Sequence, residues 1–170
     1  MKGKILPVSF FTRSDVAIIA KELLGKCLAT NFDGNLTVLR IVESEAYYGI
    51  VDKASHAYNN RKTNRTKIMY EKGGVAYVYI CYGIHAMFNI VTNIEDTPHA
   101  ILIRAGEPLI GLAKMMERTC KKENDFSISR GPGNVCKALG IHTGHTGLSL
   151  INNEIYLYDG KIRNKVKLNY

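Results

Sequence analysis

The stretch "VAYVYICYGIHAMFNI", residues 75–90, decides the fold. It lies inside a longer run, Gly73 to Ile94, that contains no Asp, Glu, Lys or Arg. By length alone that run could cross a bilayer as a helix. Its period points elsewhere. Val75, Tyr77, Tyr79 and Cys81 share one parity, and Ala76, Val78, Ile80 and Tyr82 the other. Tyr and β-branched residues favour strands, and Gly83 permits a turn at the centre. A membrane span would also have to hold His85, Asn89 and several phenols in hydrocarbon, which is costly. The reading is a β-hairpin that turns near Tyr82, where no core residue is expected.

The flanking sequence supplies the rest of the framework. "SDVAIIAKELLGKCL" has Ser14 or Asp15 as a cap and sets Val16, Ile19, Leu23 and Leu24 on one side. Gly25 ends it, so a helix is predicted over about 15–24. "NFDGN" is a turn, and "LTVLRIVESEAYYG" after it reads as a strand. Residues 52–72 are polar and turn-rich, with Arg61, Lys62, Arg65 and Lys67 clustered. "AILIRAGEP" reads as a buried strand stopped by Pro108, and "LIGLAKMMERTCKK" as an amphipathic helix. "SRGPGNVCKALGI" is a Gly/Pro turn and a short helix, and "LSLINNEIYLYDGK" a final hairpin. With no repeat, linker or low-complexity tract, one α+β domain is the architecture expected.

Bulk numbers narrow the partners. The 170 residues suffice for one domain with a real core. Apolar content of 46% and charged content of 22% are those of a globular chain. Net charge is +8 and the pI about 9.3, favouring a polyanion over an acidic metabolite. Cys27, Cys81, Cys120 and Cys136 show no CxxC spacing and read as reduced thiols of a cytosolic protein. The N-terminus "MKGKILPVSFF" lacks the features of a signal peptide.

The strand "LRIVESEAYYG" turns acidic partway. By simple alternation Leu39, Ile41, Glu43, Glu45 and Tyr47 share a face: apolar, then two carboxylates, then an aromatic ring. An unpaired buried carboxylate is expensive. Either the strand emerges into solvent, or Glu43 pairs with an arginine, or a carboxylate stands at a pocket floor beside an aromatic wall. There it can fix or deprotonate a water. Glycosidase carboxylates flank their bond from opposite sides, so Glu43 and Glu45, pointing the same way, make a poor glycosidase pair.

Other chemistries find no support. "HTGH" at 142–145 lacks neighbouring ligands for a metal set. "GPGN" has no Lys-Ser/Thr pair of a phosphate loop, and no Ser sits in a G-x-S-x-G elbow. Lys26 and Lys72 lack any context marking a Schiff-base nucleophile. No metal and no cofactor are expected.

Taken together, "IAKELLGKCL", "IVESEAYYGIVDKASHA", "TNRTKIMYEKGGVAYVYICYGIHAMFNIVT", "ILIRAGEP" and "GPGNVCKALGI" resemble the alkyladenine (3-methyladenine) DNA glycosylase family. They occur in the family's order over roughly residues 14–160. The resemblance implies a single mixed α/β domain over residues 1–170, built on a curved antiparallel sheet with flanking helices and a protruding hairpin. It implies that Tyr82 wedges into duplex DNA where a nucleotide has been flipped out. It places Tyr47 on one face of the flipped base, and His56 and Tyr79 on the other. Glu45 would be the catalytic carboxylate that activates water against C1′, and Arg104 would help hold that water. Asn89 would exclude guanine by crowding its exocyclic amine, and backbone groups at Ala54 and His56 would read the purine edge. Arg61, Thr63 and Arg65 would contact the DNA backbone.

Tyr77 is left as plain core packing. The implied partner is double-stranded DNA carrying damaged purines, met by a cytoplasmic monomer with no membrane attachment. Water would attack directly, without a lysine Schiff base or strand cleavage. Two departures stand out: Asn134-Val135 where the family has Lys-Leu, and the ending "IRNKVKLNY" in place of the family's C-terminal segment. That ending leaves a non-catalytic damaged-DNA-binding protein as the alternative. A glycoside hydrolase using Glu43 and Glu45 is the remote third reading.

Overall fold

The computed structural model describes residues 3–123, 125–152 and 154–160. A short helix, α1 (Val8–Phe11), precedes α2 (Val16–Leu23). The carboxylate of Asp15 caps α2, accepting from the backbone N–H groups of Ala17 (2.9 Å) and Ile18 (3.1 Å). Val16, Ile19, Ala20 and Leu23 form its buried side. The strands are β1 (Cys27–Phe32), β2 (Asn35–Tyr47), β3 (Ala76–Cys81), β4 (His85–Thr92), β5 (His99–Ile110) and β6 (Ile155–Tyr158). Helices α3 (Leu112–Thr119) and α4 (Pro132–Leu139) lie between β5 and β6. The first starts later than the sequence places it, because β5 runs on through Leu109 and Ile110, and the second lies within the stretch read as a turn and short helix.

The strands make one antiparallel sheet in the order β3-β4-β5-β2-β1-β6. The hairpin of residues 75–90 is β3 and β4, and its alternation holds. Ala76 and Val78 join Phe88, Ile90, Ile101 and Ile103 in the main core, packed against residues of α2, α3 and α4. Tyr77 lies in a second, smaller cluster with Ala57, Ile68, Met69, Tyr70, Val91 and Ala100, against which Tyr79 packs. The sheet thus carries helices on one face and the polar 48–70 segment on the other. That second face holds the site. Among the described residues, no helix is long and apolar enough to cross a membrane.

Three expectations are corrected. The alternation of β2 does not run unbroken from Leu39 to Tyr47. Register irregularities against β5 bracket Glu43, and the pleat slips there by one residue. Leu39 and Ile41 are in the main core, but so is the side of the strand that carries Ser44 and Ala46. Ser44 donates to the Ala20 carbonyl of α2 (2.9 Å), and Ala46 packs on the core. Glu45 and Tyr47 therefore face away from Leu39 and Ile41. Nor does Pro108 stop β5, which continues to Ile110; a further irregularity beside Leu39 accommodates the missing N–H. The expected final hairpin reduces to one bridge, Ile151 to Tyr156. Its outgoing limb pairs with the start of the first hairpin instead, Ser149 against Val75, and β6 pairs with β1. The segment Lys161–Tyr170 lies outside the described residues.

Candidate active site

The slip in β2 aims Glu45 toward β5, where it meets Arg104. Arg104 Nη1 donates to Glu45 Oε2 (2.6 Å) and Nε to Glu43 Oε1 (2.9 Å). The other oxygen of Glu45 accepts from the hydroxyl of Tyr47 (2.9 Å). Side-chain exposure is 40% for Glu45 and 53% for Glu43, so the pair sits at a mouth open to water. Glu43 thus pairs with an arginine, while Glu45 bonds Tyr47 without itself lining the cavity beside it. The Glu43 and Glu45 contacts push the Arg104 guanidinium further toward its charged form, that of Glu43 most. Burial, and then the carboxylate of Glu45, drives the Tyr47 phenol well above its usual range, so it stays protonated as a donor.

Next to this group lies a cavity of about 30 Å³ lined by Tyr47, Ala54, Ser55, His56, Met69, Tyr77, Tyr79, Asn89 and Ala100. That volume holds water but not a purine, so its walls stand close together. His56 and Tyr79 meet edge to face with centroids 4.6 Å apart, and Tyr77 and Tyr79 lie 5.4 Å apart. His56 Nδ1 is 2.9 Å from the Tyr77 hydroxyl. Both N–H directions of the Asn89 amide are taken, by the carbonyls of Tyr77 (3.3 Å) and Met87 (3.2 Å). Those bonds hold an otherwise buried side chain in one orientation. A larger cavity of about 420 Å³, bounded in part by Val42, Pro108 and Phe126, lacks such convergence. Its Glu107 is paired with Arg40 and its Asp125 with Ser127.

The loop of residues 61–66 stands beside this cavity. Arg61 and Thr63 are exposed, and Thr63 also builds the loop, its N–H donating to Thr66 Oγ1 (2.8 Å). Arg65 does not stand free: its guanidinium lies over the Tyr79 ring at 4.7 Å and reaches His56. The N–H of Ala54, which lines the cavity, is held by Asp52 Oδ1 (2.9 Å). At the hairpin tip, Tyr82 has φ 50° and Gly83 φ 74°. The Ile84 N–H bonds to the Cys81 carbonyl (3.2 Å), the pattern of a type I′ turn. Asn or Asp is usual where Tyr82 stands, and left-handed backbone costs a residue with a Cβ about 1–2 kcal/mol. Yet the ring is 90% exposed, with Ile84 beside it at 71%. Strain without packing marks a residue kept for something outside the fold.

The comparisons with known proteins bear on this arrangement. A sequence model of the methylpurine-DNA glycosylase (MPG) family matches residues 9–169. The chain belongs to that family. The match is wider than the 14–160 span of the motifs. A Chlamydia felis protein named "Putative 3-methyladenine DNA glycosylase" is 46% identical over 159 residues, covering 93% of this chain and 82% of its own. Proteins of the same name from Natranaerobius thermophilus (44% over 154 residues, 89% and 77% covered) and Clostridium perfringens strain 13 (40% over 163 residues, 91% and 80% covered) are similarly related. The cavity lining adds Tyr77, which the sequence left in the core, and Ser55, Met69 and Ala100, which it did not single out. Tyr77 is 2% exposed, yet it lines the cavity and bonds His56. Its shared parity with Tyr79 was the available signal.

Proposed function

We propose that this family member hydrolyses the N-glycosidic bond of alkylated or deaminated purines flipped out of duplex DNA, leaving an abasic site. The observation that carries the reading is the position of Glu45. Its carboxylate is fixed by Tyr47 and Arg104 at the open edge of an aromatic slot. A purine entering that slot brings C1′ of its sugar to the slot's mouth, where the carboxylate stands. Glu45 orients a water there and takes its proton as oxygen bonds to C1′ and the bond to the purine nitrogen breaks. The departing base keeps the bonding electron pair, and the negative charge of Glu45 stabilises the oxocarbenium-like sugar. Arg104 sets the carboxylate's angle through its bond to Oε2.

Tyr47, His56 and Tyr79 supply electron-rich rings, which favour the positive charge of an alkylated purine. Asn89, fixed by two backbone carbonyls, presents its oxygen to the cavity and discriminates among purines by what it meets. The slot is too narrow for a base as it stands, so entry parts the walls. Tyr82 fills the vacated stack and offsets part of the few kcal/mol that unstacking costs. Arg61, Thr63 and Arg65, beside the cavity, face the phosphates.

A single-turnover assay on a duplex containing hypoxanthine or 3-methyladenine tests the reading. Release of the free base with an abasic product and no strand scission is expected. Salt-dependent binding without release would instead identify a damage-binding protein.

A further inference from the structure

Arg65 makes two contacts that together fix the chemistry of a neighbour. Its Cζ lies 4.7 Å from the centroid of the Tyr79 ring, and its Nη2 lies 3.3 Å from Nε2 of His56. A guanidinium carries five N–H donors and no acceptor. In that contact Nε2 of His56 must therefore accept. An uncharged imidazole then carries its proton on Nδ1, which donates to the Tyr77 hydroxyl at 2.9 Å. The direction of both bonds follows from the identity of residue 65.

We propose that Arg65 is a positioning residue that fixes His56 in its Nδ1–H form and keeps the imidazole uncharged against the base pocket. This deepens the functional reading above and rests on it for the identity of the pocket's occupant. A second proton on His56 would have to go to Nε2, where an arginine N–H already points. Electrostatics acts in the same direction. Burial first, and the charge of Arg65 second, hold His56 below the ordinary imidazole range. The groups facing the ring are Tyr77 and Tyr79 from β3 and Arg65 from the loop. Tyr47 stands on β2 across the cavity, and Glu45, outside the cavity lining but bonded to Tyr47, has its charge tied to Arg104. The consequence concerns substrate charge. A purine alkylated on a ring nitrogen is cationic while still attached to its sugar, and an imidazolium in the wall would repel it. An uncharged imidazole does not.

The test compares the wild type with Arg65→Met, which removes donor and charge, and Arg65→Lys, which keeps both. Nitrogen-resolved NMR of the His56 imidazole in the free protein reads the tautomer and the protonation midpoint. Single-turnover release from duplexes carrying a cationic alkylpurine or uncharged hypoxanthine is followed across pH. In the wild type His56 is Nδ1–H. In Arg65→Met the Nε2–H form appears and the midpoint moves up. The acid limb for the cationic base moves up with it, while the hypoxanthine limb moves less; Arg65→Lys restores most of the difference. An unchanged tautomer and midpoint in Arg65→Met overturns the proposal, even where DNA binding weakens, and makes Arg65 a phosphate anchor alone. The NMR readout needs no DNA, so it fails or succeeds independently of base release.

Discussion

Tyr77 and Tyr82 belong to one hairpin, and their surroundings have nothing in common. Tyr77, in β3, is buried on the face opposite the helices, where its ring meets Tyr79 and His56 and its hydroxyl is 2.9 Å from an imidazole nitrogen. Tyr82, at the tip, has a strained backbone and an exposed ring. The first is held by everything around it and the second by its own chain alone. A ring in a pocket wall that parts to admit a base must return to one arrangement, so it needs bonded neighbours. The wedge proposed at Tyr82 would enter another molecule, so it gains nothing from neighbours of its own. Burial and hydrogen bonding separate the two uses proposed for the same side chain.

That contrast can be tested from both ends. Within the hairpin the largest effect is expected for Tyr82→Ser: base release in single turnover should slow by roughly 100-fold, from the loss of a few kcal/mol of support for the flipped state. Thermal stability should not fall. Unchanged release would break the contrast by showing that the tip does no work in the substrate complex. Tyr77→Phe removes the hydroxyl's bond to His56 and its interaction with Arg65, and should cost about 1 kcal/mol of unfolding free energy, measured by urea denaturation. No change would mean that packing alone holds the wall.

Smaller still is Tyr82→Asn, which suits the left-handed turn. It should stabilise the fold by about 0.5–1 kcal/mol while weakening release, a gain and a loss at one position. If stability falls instead, the tip ring is packed after all. The last effect comes from pH. Burial is the main cause holding His56, His99 and His145 below the ordinary imidazole range. The unfolded chain therefore binds more protons than the folded one as pH falls through about 6.5. The stability these rings contribute is present above that pH and is lost below it. Tm at pH 5.5 should be lower than at pH 8, and an equal or higher value would contradict the half-buried, uncharged rings.

The sequence showed the hairpin because alternation over β3 and β4 is a local pattern, and nothing in the tertiary structure disturbs it. It showed α2 for the same reason: Asp15 and Gly25 are local start and stop signals. The acidic strand was harder. Glu43, Glu45 and Tyr47 were found, but on the wrong face, because the slip beside Glu43 depends on how β2 pairs with a strand far away in sequence. Pro108 misled because its tolerance also depends on that partner. The short-range identity of the site residues came through the motifs. The links among them did not: Arg65 looks like one more basic residue of a polar loop until the fold sets it on His56 and Tyr79. Likewise the pairing of Arg104 with both carboxylates exists only across β2 and β5.

Most directly exposed to test is the part assigned to one carboxylate. Glu45→Gln preserves the side chain's shape and its acceptor oxygen but cannot take a proton from water. Followed by single-turnover release from a lesion-bearing duplex, with binding measured alongside, it should bind as the wild type does and release base at least about 10²- to 10⁴-fold more slowly. Release at the wild-type rate would contradict the account.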